Sequence, residues 1–368
     1  MRRREYGGSV RHRSCVRRGG RERERRSAPR PAGATMAVGP DGTVVGSVSG
    51  GCVEGAVYDL CAEVIETGRP RVQRYGIGDD DAFTVGLTCG GTIEVLVERI
   101  DRHTFPQLDE VARSIESSEP VAVVTCVDGP ADRLGARLLV WGDRHADSLG
   151  SARLDATADD DARGLLAAGR TGALHYGPDG ERRGEGLTLF VASYAPPARM
   201  IIFGAIDFAA SVAQIGKFLG YDVTVCDARP VFATPKRFPG ADRVVVDWPH
   251  RYLRAEVNAG RIDSRTVVCV LTHDPKFDVP VLQVALRENL AYVEAMGSRR
   301  THDDRLARLR AAGLTDKELE ALSSPIGLDL GARTPEEAAV SIAGEIIAAR
   351  WGGTGARLTS LAGRIHHG

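Results

Sequence analysis

The chain repeats itself, and the repeat constrains its fold more than any single motif does. GATMAV at residues 33–38 is echoed by GARLLV at 135–140, and GSVSGGC from Gly46 by GSARLDA from Gly150. A helix-like stretch ending at Gly76 returns in one ending at Gly177, and TIEVLVE from Thr92 is answered by LTLFVAS from Leu187. Four matches in the same order, each about 100 residues apart, point to the duplication of one α+β unit.

The copies differ where chemistry could reside. Aligned this way, copy two loses about three residues at the GGC segment, and the CGG before the last strand has no counterpart there. Thiol chemistry therefore belongs to copy one, and copy two reads as scaffold. Copy two also has a helix-like run, Phe105 to Ser118, and a strand, Pro120 to Val127, ahead of the shared core. The corresponding place in copy one is residues 1–26, where eleven arginines face three glutamates. That stretch has no apolar periodicity from which to build a packed element and is expected to be disordered. Two readings of it are open: a basic tail for acidic surfaces, or a start unlike that of related chains that leaves copy one short of a helix and a strand.

At 368 residues the chain predicts two or three domains. A formal net charge of -1 gives no overall case for nucleic acid or an anionic membrane as partner. Seven cysteines scattered through apolar runs suit a reduced compartment with free thiols. No apolar run is long enough to span a bilayer, and the basic start lacks the apolar centre of a signal peptide. A cytoplasmic location is expected.

In copy one, a strand from Ala34 to Val38 leads through the PDG turn at residues 40–42 into VVGSV. Ser49-Gly50-Gly51-Cys52 then opens a helix from Val53 to Thr67, closed by Gly68. Cys52 at a helix N-terminus stands where unpaired N–H groups and the helix dipole favour a thiolate. Its alternative reading is a small buried apolar residue; Cys61, inside the apolar stripe, is core. A second glycine-flanked thiol, Thr88-Cys89-Gly90-Gly91, precedes the strand Thr92 to Val97. Two such thiols suggest one pocket, as sulfur carriers or contacts to a soft metal centre. Their spacing is not that of a structural zinc site.

From Met200 the pattern strand–turn–helix–strand, ending at Asp227, is the opening of a dinucleotide-type α/β domain. Its glycine fingerprint is degenerate: Gly204 fills the first position, Ile206 the second and Ala209 the third. Tight NAD(P) binding is therefore not expected, and Asp227 either holds a ribose or ends a strand. The run VVCVLTHD sets His273 at the carboxyl end of a buried strand, as an acid, base or ligand anchor, or as a loop histidine beside Asp274. A helix from Val279 to Glu288 follows. Ser298, Arg299 and Arg300 at a helix start suit an anion, or merely cap the helix. PIGLDLGA at 325–332 is another glycine-spaced loop, and TPEE from Thr334 is a capping box leading into a helix from Glu336 to Arg350.

Taken together these pieces resemble the XdhC/CoxI family of accessory proteins for xanthine dehydrogenase and carbon monoxide dehydrogenase. SAPRPAGATM, GSVSGGCVEGAV, LTCGGTIEVLVE, GAIDFA, VTVCDARPVFAT, LTHD, GSRRT and PIGLDLGARTPEEAAVSIAGEI run in family order from Ser27 to about Arg350. The resemblance implies a chaperone that binds the molybdenum cofactor (molybdopterin) transiently, rather than an enzyme acting on a metabolite. It implies partners too: a cysteine desulfurase that replaces an oxo ligand by sulfido, and the apo molybdenum hydroxylase that receives the cofactor, with a homodimer admissible. By carry-over Cys52 and Cys89 lead the site, with Gly50, Gly51, Gly90 and Gly91 around them and Gly204, Asp227, His273, Ser298 and Arg299 in support. The rival reading is an NAD(P)-dependent oxidoreductase using the C-terminal domain. Expected domains are the arginine-rich 1–26, a cysteine-bearing repeat at 27–104, a degenerate repeat at 105–196, a Rossmann-like domain at 197–352 and a tail at 353–368.

Overall fold

A computed structural model describes residues 32–75, 93–182 and 184–361, together with the backbone of 13–19. By internal contacts the chain divides at Pro196/Pro197 into two units.

The first unit holds both repeats as separate five-stranded sheets. In order along the chain are β1 (Arg13–Gly19), β2 (Thr35–Val38), β3 (Val44–Gly46), α1 (Glu54–Thr67), β4 (Arg71–Tyr75) and β5 (Ile93–Ile100). Then come α2 (Leu108–Glu116), β6 (Val121–Asp128), β7 (Arg137–Trp141), β8 (His145–Ser148), α3 (Ala152–Ala167), β9 (Gly172–Tyr176) and β10 (Leu187–Tyr194). The sheet orders are β3-β2-β1-β5-β4 and β8-β7-β6-β10-β9, one topology written twice. Register agrees as well. Val16 lies between Met36 and Val97 in one sheet, and Val124 between Leu138 and Val191 in the other.

This overturns the expectation that the arginine-rich start contributes no packed element. Arg13–Gly19 is the central strand of the first sheet, antiparallel to β2 and β5. A strand slot is filled by backbone N–H and C=O groups that every non-proline residue carries, so apolar alternation is not a condition for occupying it.

The structure also moves the gap between the copies. Met36 pairs with Gly46, and its equivalent Leu138 pairs with Asp147. Both Gly46 (φ 84°) and Asp147 (φ 68°) are left-handed. The hairpin of copy two is thus one residue shorter, and no gap falls at the GGC loop. Buried Val53, at the cap of α1, and Val57 and Cys61 within it answer buried Leu154, Ala158 and Ala162 of α3. Cys52 is therefore matched by Arg153. Each helix covers one face of its own sheet. Between the copies, Leu96, Val127 and Phe190 pack together and Glu98 pairs with buried Arg137.

The second unit is a doubly wound sheet. Its elements are β11 (Arg199–Phe203), α4 (Asp207–Phe218), β12 (Asp222–Asp227), β13 (Arg243–Val246), α5 (Pro249–Asn258), β14 (Val267–Val270), α6 (Pro275–Ala285), β15 (Tyr292–Ala295), α7 (Arg299–Ala311), α8 (Asp316–Leu319), β16 (Leu322–Ser323) and α9 (Pro335–Trp351). All strand pairs are parallel, in the order β13-β12-β11-β14-β15-β16. The order reverses between β11 and β14, the point at which such sheets open a crevice at their carboxyl ends. Helices α4 and α9 cover one face, and α5, α6 and α7 the other. Helix α6 starts earlier than its apolar pattern suggested because Asp274 caps it and Pro275 takes its first turn; Pro280 is accommodated inside it.

Candidate functional site

The loop before α1 is organised by one carboxylate. Glu54, in the first turn, accepts hydrogen bonds from the backbone N–H of Val48 (3.2 Å), Ser49 (2.8 Å), Gly50 (3.0 Å), Gly51 (2.9 Å) and Val53 (3.2 Å). The hydroxyls of Ser47 and Ser49 donate to it too. Partial burial opposes its ionisation, but the Ser47 and Ser49 donors outweigh that and hold its carboxyl far below the usual range. Ser49 Oγ in turn accepts from the N–H of Cys52 (2.9 Å) and of Val53 (3.1 Å). The unpaired N–H groups expected around Cys52 are thus already paired, and a negative charge already answers the helix dipole.

Gly50 (φ 88°) and Gly51 (φ 124°) carry the loop through left-handed conformations, and a Cβ on either would meet open space. Glycine is needed there for conformation, not for room. Cys52 follows, half-buried at the edge of the copy-one core, whereas Cys61 is fully buried. Cys89, Gly90 and Gly91 lie outside the described residues, and with them the distance between the two thiols.

At the switch point of the second unit, Gly204 (φ 112°) approaches the end of β14 so closely that a Cβ would stand 2.9 Å from Thr272 Cγ2. Asp227 is buried with both oxygens engaged. It accepts from the N–H of Ala205 (2.7 Å), and from the N–H, Nε (2.9 Å) and Nη2 (2.7 Å) of Arg229. Burial raises its pKa, but the Arg229 and Ala205 bonds prevail and lower it. Where a dinucleotide fold places its phosphates, α4 begins with exposed Asp207, paired to Arg237 Nη2 at 2.9 Å.

His273 is exposed beside Asp274, the cap of α6. Ser298 caps α7 through the N–H of Thr301 (3.2 Å), and Arg299 and Arg300 are exposed next to it. Behind them runs a buried network that sequence reading did not single out. Thr272 donates to Asp278, whose other oxygen meets Arg305 Nη2 at 3.0 Å. Arg305 continues to the Met296 carbonyl (2.7 Å) and Ser324 Oγ (3.0 Å). Burial raises the pKa of Asp278 despite Thr272 and Arg305. The signal available in the sequence was an acid four residues past LTHD and an arginine inside an otherwise exposed helix; both are common on surfaces.

Residues 200–346 match the XdhC Rossmann domain, and residues 23–76 and 114–177 match the XdhC and CoxI family. The chain belongs to the XdhC/CoxI family. Its two matched segments fall one on each copy in the first unit.

Relatives of this XdhC/CoxI chain include the Escherichia coli (strain K12) "Molybdenum cofactor insertion chaperone PaoD". It is 29% identical over 326 residues, which is 89% of this chain and 80% of the relative. A Bacillus subtilis (strain 168) protein, named as a probable xanthine dehydrogenase component, is 27% identical over 327 residues, 88% of this chain and 90% of that one. Among solved structures, a Bacillus halodurans protein described as a xanthine dehydrogenase superposes with a TM-score of 0.69 at 25% identity, covering 96% of this chain and 95% of that chain. No helix among the described residues is long and apolar enough to cross a membrane.

Proposed function

We propose that this chain is an accessory chaperone that takes up the molybdenum cofactor, supports its sulfuration and delivers it to an apo molybdenum hydroxylase of the xanthine or carbon monoxide dehydrogenase type. The observation that carries the reading is the Glu54-clamped glycine loop that holds Cys52 half-exposed. Copy two rebuilds the clamp but puts Arg153 where the thiol stands, so the cysteine is an addition to a scaffold and not a part of it. A cysteine sulfur is a ligand suited to a soft metal centre and can carry a persulfide. Cys89, with glycines beside it, is the second thiol of this reading. The name of the E. coli relative supports the choice of cargo.

The cofactor is cargo, held for a time and passed on, and a cysteine desulfurase and the apo-enzyme are the partners that this requires. A resident nicotinamide dinucleotide is disfavoured because Ile206 replaces the glycine that admits a pyrophosphate, and because the acid that would hold a ribose is spent on Ala205 and Arg229.

The test is purification in the presence of molybdopterin, scoring bound cofactor for the wild type and Cys52→Ser. Retention by the wild type and at least tenfold loss in Cys52→Ser is expected. A wild type that retains no molybdopterin but titrates with a nicotinamide dinucleotide ends this reading.

A further inference from the structure

A cavity of about 310 Å³ opens at the carboxyl end of β15, between the loop 326–332 and the first half of α9. Met296, Ile326, Leu328, Ser341 and Ile342 line it together with Gly297, and exposed Asp329 stands at its lip. The volume lies within the range of small-molecule sites, and the carboxyl edge of a parallel sheet is where ligands of such folds sit.

Buried polar groups hold both walls. Arg305 ties down the Met296 carbonyl and Ser324, and Glu345 accepts from the N–H of Gly327 at 2.5 Å. Ser341 donates to the Leu328 carbonyl. The cavity is a framed space and not a slack loop.

The charged groups against the cavity are exposed Asp329 at the lip, Glu345 beside the loop and, behind the Met296 and Gly297 wall, Arg305, which is already paired with Asp278. Just outside, past Gly297, Arg299 and Arg300 open α7. Among the described residues no hydrogen bond or ion pair engages the side chain of Asp329, Arg299 or Arg300. A carboxylate with no partner at the mouth, and cations with none on the next helix, suit a flat ring with paired N–H donors on one edge and an anionic group on the opposite end.

We propose that this cavity receives the aminopyrimidinone ring of a pterin, its amide and amino N–H groups meeting Asp329, while Arg299 and Arg300 take the phosphate. The inference rests on the chaperone reading for the cargo's identity. A guanine nucleotide carries the same donor edge and phosphate, so the experiment must tell the two rings apart.

The full-length chain is titrated with 6-hydroxymethylpterin by its fluorescence and with guanosine monophosphate by calorimetry. Asp329→Asn, Ala338→Trp (a half-buried α9 position facing the cavity) and the double variant Arg299→Ala/Arg300→Ala are compared, each checked for folding by circular dichroism. Molybdopterin retention is scored in parallel. Expected are pterin binding by the wild type, at least tenfold weakening in Asp329→Asn and loss in Ala338→Trp. The double arginine variant should keep pterin affinity but hold molybdopterin at least tenfold less well. Unchanged pterin affinity in both folded Asp329→Asn and Ala338→Trp overturns the cavity assignment, and tighter binding of guanosine monophosphate than of pterin overturns the choice of ring. Molybdopterin retained equally by the wild type and by every cavity variant sinks this inference and leaves the chaperone reading standing. Pterin binding that follows the variants without any molybdopterin retention does the reverse.

Discussion

Glu54 of the first repeat and Asp155 of the second occupy the same place and hold the same loop. Glu54 takes the Ser47 hydroxyl and the Val48 N–H; Asp155 takes the Ser148 hydroxyl and the Leu149 N–H (2.7 Å). Glu54 reaches further, because its extra methylene lets it also gather the N–H groups of Ser49, Gly50, Gly51 and Val53. The clamp belongs to the ancestral unit, and its extension belongs to the copy with the thiol.

Removing Glu54 should therefore cost more than removing Asp155. Glu54→Ala strands several donors at once and is expected to destabilise by about 1–3 kcal/mol, against about 1 kcal/mol for Asp155→Ala, read from urea midpoints. Because the Glu54 carboxyl is held below its usual range in the folded chain, its contribution is complete above the unfolded-chain pKa of about 4.3 and fades as pH falls below it. The deficit of Glu54→Gln relative to wild type should shrink between pH 6 and pH 3, values set on the order of that window. A deficit that grows with acidity would show that the clamp does not act as a carboxylate.

Gly46 and Asp147 share a backbone conformation but not its tolerance. A Cβ at Gly46 would lie 2.3 Å from the Thr35 carbonyl oxygen, so Gly46→Ala meets backbone as well as a left-handed φ. A loss of about 1–3 kcal/mol is expected. At Asp147 a side chain is already accommodated, and its Oδ1 accepts the Ser148 N–H. Asp147→Gly trades relief of the left-handed strain for backbone entropy and should stay within about 0.5 kcal/mol of wild type. Equal effects at the two positions would refute the steric distinction.

Asp278 and Arg305 are both buried, and neither has water to fall back on. Arg305→Met leaves the Asp278 carboxylate without its cation and should cost about 3–5 kcal/mol. The double variant Arg305→Met/Asp278→Asn removes the stranded charge and is expected to recover part of that loss, with the coupling measured by a double-mutant cycle. Strict additivity would mean that the pair does not act as one unit.

The sequence and the structure agree where periodicity and turn chemistry decide. The duplication, the α1 helix with Gly68 as its left-handed cap, the βαβ opening at Arg199 and the Thr334/Glu337 capping box of α9 all follow from local patterns. Disagreement begins where backbone alone decides. Arg13–Gly19 has no strand-like side-chain pattern, yet it fills the slot that Val121–Asp128 fills in copy two. The gap between the copies was misplaced because glycines at 46 and 150 look alike, whereas hydrogen-bond register aligns Gly46 with Asp147. Glu54 escaped notice as a site residue because an acid in a first helical turn is ordinary; only the geometry shows it gathering a whole loop. Cys89 and its glycines lie outside the described residues, so the pairing of the two thiols rests on sequence.

Glu294 offers a last test, and its sign is opposite to that of Glu54. The residue is fully buried beside Cys269 and Glu345. Burial first, and the Glu345 charge with it, pushes its pKa up to about 8, while the Cys269 thiol opposes the shift. A carboxyl whose folded pKa is raised binds a proton that the unfolded chain has already released. Stability therefore declines as pH rises from about 4.3 until the folded group itself ionises near 8. Glu294→Gln cannot ionise and escapes the decline. Relative to wild type it should gain in thermal midpoint between about pH 5 and pH 8, with the gain levelling off above that window. The groups facing Glu294 could mimic the effect only by titrating themselves. The Cys269 thiol is pushed well above its ordinary range by burial and stays neutral throughout. A Glu345→Gln control removes the other charge and should reduce the gain, because it brings the Glu294 pKa down. A wild type and a Glu294→Gln variant whose midpoints run parallel from pH 5 to pH 8, limits set on the order of the same window, would mean that Glu294 is solvated and ordinary.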